Sequence, residues 1–244
     1  MKSTERHHLK DNELAHLTLG ARDLVQERRG PILATVGAVV VILAAVGGYL
    51  TWRNSVDNRA HTQLAGAIAV EGARVGPPAA FGTAPTQGLS FISEREKSQA
   101  VLTKYKEVAD TFPTSDAGIY ARYRQAATYM ALGVPKSAAE TYQQVISQGG
   151  DSLYAQMAKL GLAEAQAQTG DYEAAITTFR DWAQRKDGPL PIDGLLLRLG
   201  KTQAEAGKAS DAQQTFNRLV QEFPDSSFTA DAKKELDQLK KSSS

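Results

Sequence analysis

The chain has 244 residues, with 28 lysines and arginines against 27 aspartates and glutamates, and a formal net charge of +1. That balance leaves no electrostatic footprint for nucleic acid, and the absence of cysteine removes disulfides, thiolate catalysis and cysteine metal sites. The four histidines, His7, His8, His16 and His61, all lie in the first quarter of the chain, and adjacent His7 and His8 would project in different directions on a helix, so no ligand set forms. No glycine-rich phosphate loop follows a strand pattern, and no carboxylate pair stands apart from helix-surface charge. The reading is therefore no enzyme, with no cofactor, metal or small-molecule substrate implied.

Residues 1–30 form a polar tail in which Leu14, Leu17, Ala21, Leu24 and Val25 recur at helical spacing, predicting a short amphipathic helix with Asp11 or Asn12 as its cap. Residues 31–52 are the expected transmembrane helix. Ile32 to Thr51 carries no charge over 20 residues, enough to cross roughly 30 Å of hydrocarbon at about 1.5 Å per residue. Tyr49 and Trp52 sit where an interfacial aromatic belt belongs. A cleaved signal peptide fits poorly, because its apolar run is normally about 7–15 residues. Lys10, Arg22, Arg28 and Arg29 precede the span while Arg53 and Arg59 follow it, which orients the N-terminus to the cytoplasm and the rest outside. In a bacterium that places the remainder in the periplasm.

Residues 53–74 stay helix-compatible, with Val56, Ala60, Leu64, Ala67, Ile68 and Val70 as a broad apolar stripe. This segment either continues the membrane helix or supplies the first helix of a C-terminal array. Residues 75–92 contain three prolines and three glycines, a density no helix survives. The loop's apolar side chains, Phe81, Leu89, Phe91 and Ile92, are expected to pack down onto that array.

A period of 37 governs residues 93–241. Tyr105, Tyr142, Phe179 and Phe216 are spaced by it, as are Val101, Ala138, Ala175 and Ala212, and then Gly133, Gly170 and Gly207. The stretches Phe112-Pro113-Thr114-Ser115 and Phe223-Pro224-Asp225-Ser226 lie 111 residues, three periods, apart. Self-similarity on this scale marks stacked repeats whose extended surface binds partners. Each unit reads as two helices: small residues such as Ala163 and Ala175 let them approach, Gly170 turns the chain between them, and Phe179 fills the gap to the next unit. Ser93 to Phe112 reads as a lone second helix ahead of three full units. Phe228 to Lys241, with Ala232, Leu236 and Leu239 on one face, reads as a capping helix, and 242–244 as a disordered tail.

The order of small residue, tyrosine, glycine, alanine, aromatic and proline resembles the tetratricopeptide repeat, and Gly170-Asp171-Tyr172-Glu173-Ala174-Ala175-Ile176 carries its most distinctive string in full. The expected fold is thus all-α: one transmembrane helix, then a helical-hairpin solenoid of 37-residue units with a C-terminal cap. The units are three residues longer than the usual 34. The layout of short tail, single span and long repeats resembles the ancillary subunit of the bacterial Sec translocon, whose repeat domain is also similar to the cell-division coordinator family. This resemblance implies a chaperone-like inner-membrane protein, acting on the periplasmic side with translocon subunits, periplasmic chaperones or emerging chains. The alternative is a structural scaffold for envelope assembly or division that binds no unfolded clients.

In the tetratricopeptide family the first helix of each unit lines the inner wall. By that register the candidate groove residues are Tyr120, Tyr123, Ala127 and Met130, then Met157, Leu160 and Glu164, then Leu197, Lys201 and Glu205. Family members that clamp a terminal carboxylate place lysine, arginine and asparagine there. This chain places tyrosine, leucine, alanine and glutamate, so an apolar segment or a partner helix is the expected ligand.

Overall fold

The computed structural model describes residues 29–76, 89–185 and 190–242. The amphipathic helix expected before residue 29, Phe81 with most of its loop, and residues 243 and 244 lie outside them. The chain divides into two units, Met1–Val56 and Asp57–Ser244.

Helix α1 runs unbroken from Arg29 to Glu71 and so enters both units. Pro31 falls in its first turn, where a missing N–H costs no hydrogen bond. In the first unit Leu33, Val36, Val39, Val40, Val41, Ile42, Leu43 and Val46 are all exposed. A surface so continuously apolar is unstable in water and stable in hydrocarbon. By length and composition this helix can cross a membrane. Two of its hydroxyls turn inward: Thr35 Oγ1 donates to the Pro31 carbonyl at 2.8 Å and Thr51 Oγ1 to that of Gly48 at 2.9 Å, the back-bonding open to threonine within a helix. The rings of Tyr49 and Trp52 stand 6.1 Å apart.

In the second unit, α1 buries Ala60, Leu64, Ala67 and Val70, one stripe at steps of four, three and three. Two short strands follow, β1 (Arg74–Val75) and β2 (Ser90–Phe91), paired in parallel with Arg74 opposite Ser90 and Val75 opposite Phe91. Arg74 N donates to the Leu89 carbonyl at 3.2 Å and Gly76 N to that of Phe91 at 3.0 Å. These bonds tie the two ends of the proline-rich excursion together. Two-residue strands leave no alternation to read, so the sequence carries no sign of them. The expected packing of the loop's apolar side chains needs correction at two of them: Leu89 is 56% exposed and Ile92 73%, while Phe91 is half-buried.

Eight further helices come next among the described residues: α2 (Glu94–Thr111), α3 (Asp116–Ala131), α4 (Pro135–Gly149), α5 (Leu153–Thr169), α6 (Tyr172–Ala183), α7 (Ile192–Glu205), α8 (Ala209–Glu222) and α9 (Thr229–Ser242). Three of them start on the same device. The hydroxyls of Ser93, Ser115 and Ser152 accept from the N–H groups of Glu96, Gly118 and Ala155 at 3.1–3.2 Å, satisfying donors that a helix start leaves open. Between the helices of a hairpin the chain turns through Gly133, Gly170 and Gly207, all at positive φ (72°, 88° and 75°). At Gly170 the turn is locked by Asp171 N donating to the Gln166 carbonyl at 2.9 Å, the wrapped helix ending that a left-handed residue permits.

The hairpins close on small residues. Ala126, Ala138, Ala163, Ala175 and Ala212 have no exposed surface, and the aromatics of the period, Tyr105, Tyr142, Phe179 and Phe216, are all buried. One core gathers Phe179, Trp182, Leu195, Leu196, Leu199, Phe216 and Leu219, and another gathers Ile119, Ala126, Tyr142 and Val145. The second helix expected to stand alone, α2, has a partner: the Tyr105 hydroxyl donates to the Glu71 carboxylate, which also pairs with Arg124 of α3. The last turns of α1 are thereby fastened to the repeats.

Candidate functional site

Because a second helix packs on its own partner and on the next first helix, the first helices α3, α5 and α7 form one layer of the second unit. A run of tyrosines joins α3 and α5, continued by Tyr105 of α2 and Tyr142 of α4. Tyr105 meets Tyr120 edge-on at 6.3 Å, Tyr120 meets Tyr154 at 5.0 Å, Tyr154 meets Tyr123 at 6.0 Å, and Tyr123 meets Tyr142 at 5.9 Å. Offset and edge-on pairs at these separations are attractive beyond the area they bury. Tyr105 and Tyr142 are buried and anchor the run, while Tyr120, Tyr123 and Tyr154 remain half-buried and present their rings.

The ladder is uncharged. Burial pushes the hydroxyls of Tyr105 and Tyr142 far above the ordinary tyrosine range, with Tyr120 adding to the first and Tyr123 and Glu164 to the second. Tyr123 rises for the same first reason, with Glu164 and Tyr120 contributing. In each case the ionised form would lose hydration and face like charge.

Beside the ladder, a recess of ≈ 160 Å³ opens between α5 and α7. Met157, Leu160, Leu190 and Leu195 form its apolar floor, Tyr123 and Tyr142 one wall, and Glu164 with Arg198 the rim. Arg198 Nε donates to Glu164 Oε1 at 2.5 Å. Two further cations of this layer are paired too, Arg124 with Glu71 and Lys201 with Glu235 at 3.7 Å. Each of these three cations thus already faces a carboxylate of the chain.

Four of the sequence-derived candidates, Tyr123, Met157, Leu160 and Glu164, meet at this recess, and Tyr120 joins them through the ladder. The other five lie elsewhere. Leu197 is 8% exposed and belongs to the core with Leu195, Leu196 and Leu199; four leucines in five positions leave no single face to read. Met130 packs onto the cluster around Ala126 and Tyr142, and Lys201 is turned to Glu235 of α9. Leu160 keeps only 6% of its surface exposed and serves as floor rather than as a projecting contact. Ala127 borders a different recess with Glu71, Val101 and Arg124, and Glu205 is exposed at the end of α7. Sequence reasoning misses Tyr154 in the ladder and Tyr142, Gly161, Leu190, Leu195 and Arg198 in the recess. Tyr154 is three positions before Met157 on α5, so carrying the stripe back one turn finds it. Arg198 is marked only by its pairing across helices, which no spacing reveals. Among the described residues no cluster of three or more histidines, cysteines, aspartates or glutamates is arranged to hold a metal.

Comparison with known proteins places this architecture. The family model described as "Tetratricopeptide repeat-like domain" matches residues 32–187, and a second, "Tetratricopeptide repeat", matches 195–226. No curated protein matches the sequence. Among solved structures, the chain is similar to the nearly identical TPR-like repeats of a Podosopora anserina protein described as a kinesin light chain. The TM-score is 0.50 at 14% identity, covering 59% of this chain and 78% of that one; a point-substituted form of the same protein matches equally, with 77% of its length covered. At that identity the likeness concerns the fold alone. The first family match spans well over half of the sequence, from the apolar run of α1 to the end of α6, and the chain belongs to the tetratricopeptide repeat-like family.

Proposed function

We propose that this is a membrane-anchored protein-binding repeat protein, a chaperone-like ancillary subunit at the periplasmic side of a bacterial Sec translocon. The binding reading rests on the tyrosine-lined layer of α3, α5 and α7, with its ladder and recess. Repeats of this family bind proteins, and half-buried tyrosines give large contact area at low entropic cost. The anchoring reading is supported by the exposed apolar surface of α1 and by a family match that begins inside that apolar run. The orientation rests on the excess of Lys10, Arg22, Arg28 and Arg29 over Arg53 and Arg59.

Two experiments test it. Ser244→Cys, probed with a membrane-impermeant thiol reagent, is labelled in intact spheroplasts if the repeats are periplasmic, and protection there contradicts the orientation. Purified full-length protein should suppress the aggregation of an unfolded client; failure to do so, with crosslinks confined to folded division or envelope proteins, favours the scaffold instead.

A further inference from the structure

The inner layer says more about its ligand than that it is a protein. Resting on the protein-binding reading above, we propose that the recess between α5 and α7 takes one large uncharged side chain, of the phenylalanine or leucine kind, from a partner segment with no charge beside it.

Size is the first reason. A recess of ≈ 160 Å³ falls below the roughly 300–1,000 Å³ of a small-molecule site, yet an apolar cavity of about 150 Å³ holds a benzene ring. One side chain fills it, and a cofactor does not. The chemistry of the lining is the second. The polar side chains of the lining are confined to Tyr123, Tyr142 and the Glu164–Arg198 pair. Met157, Leu160, Leu190 and Leu195 offer no hydrogen bond from their side chains, apart from the weak acceptor of the thioether. A charge placed among them would lose its water without a partner.

Charge complementarity is the third. The ions of the rim, Glu164 and Arg198, satisfy each other at 2.5 Å. An incoming carboxylate gains Arg198 only by displacing Glu164, and an incoming ammonium gains Glu164 only by stranding Arg198. A neutral peptide disturbs neither: its carbonyl can accept from the guanidinium N–H groups the pair leaves over, and its N–H can donate to the second carboxylate oxygen. The ladder extends the same selection away from the recess, since Tyr123, Tyr154 and Tyr120 present ring faces rather than charges.

The test uses full-length protein in lipid nanodiscs and short labelled peptides, capped at both ends and identical except for a central Phe, Leu, Ala, Asp or Lys. Anisotropy titration should show the Phe and Leu peptides binding about tenfold or more tighter than the Ala peptide, the discrimination that burying a large apolar side chain supplies. The Asp and Lys peptides should bind more weakly than Ala. Met157→Trp, which fills the recess from a half-buried position, should erase the preference for Phe over Ala while leaving the melting temperature within a few degrees. Glu164→Gln, which frees Arg198, should bring the Asp peptide up to or above Ala. Equal binding of charged and apolar peptides, or a Phe preference that survives Met157→Trp, overturns the proposal while leaving a protein-binding face intact. If no peptide binds yet crosslinkers placed at position 123 capture proteins in membranes, the single-anchor ligand is wrong and the partner is a folded surface. If neither is seen, the protein-binding reading itself fails.

Discussion

Tyr142 and Phe216 lie against glycines with no room for a methyl group. A Cβ at Gly161 would stand 2.3 Å from Tyr142 Cζ, and one at Gly200 would stand 2.5 Å from Phe216 Cε1. Both rings are buried, so either must shift within the packed helices to admit the methyl group. Gly161→Ala should therefore cost ~1–3 kcal/mol, the usual penalty of overpacking a filled core. The contrast is Gly66→Ala, where nothing lies within 4 Å and the helix gains roughly 1 kcal/mol from the better helix former. Thermal melting followed by circular dichroism separates the two by sign. Titration gives a second prediction. The hydroxyls of Tyr105, Tyr123 and Tyr142 have folded-state pKa values raised by burial. Their contribution to stability is thus complete below the unfolded tyrosine value of about 10 and is lost as pH rises toward the folded values. Spectrophotometric titration should show these tyrosines ionising only together with the loss of helical signal. Free ionisation at the ordinary value, with helicity intact, would contradict the packing described. At the acid end the sign reverses. Asp110 is held below the usual carboxylate range, first by its hydrogen bond from Lys106 and then by Arg122. The stability it adds is present at neutral pH and lost as pH falls below about 3.9, so Asp110→Asn should narrow the gap to wild type as the medium is acidified. The effect is small, because Asp110 is half-exposed.

Among the elements, the helix ends are the most legible in the sequence. Glycine at three hairpin turns is read directly from the period, and serine at three helix starts, which the period does not mark, is an equally local choice; each is enforced by backbone groups within a few residues. They therefore survive translation from string to structure. Removing them should cost stability in known amounts. Ser152→Ala deprives Ala155 N–H of its acceptor and should lose ~1 kcal/mol. Gly170→Ala forces a side chain to φ 88° and should lose about 1–2 kcal/mol. Equal melting temperatures for both variants and wild type would mean that the repeats do not depend on these caps. What the sequence hides is non-local. The β1–β2 ladder consists of four residues separated by a long excursion. The fastening of Glu71 to Tyr105 and Arg124 joins positions 34 and 53 residues apart. α7 carries so many leucines that its buried face cannot be told from its open one, which is why Leu197 reads as a groove residue and lies in the core.

For the whole molecule, the sequence period locates the layer that matters but not the site on it. Tyr120, Tyr123, Met157, Leu160 and Glu164 are readable because an inner wall repeats with the unit. The recess needs one more fact, the approach of α7 to α5 that sets Arg198 against Glu164, and that depends on packing between units. Whether this layer binds protein at a membrane is decided by in vivo photo-crosslinking of the full-length protein. A photoreactive residue replaces the half-buried Tyr123 in one variant and exposed Gln144 of α4 in another. Position 123 should give discrete protein adducts, including translocon subunits, chaperones or emerging chains, and position 144 far fewer. Adducts of equal yield and identity from both positions, or none from position 123, would show that the tyrosine layer is not the binding face.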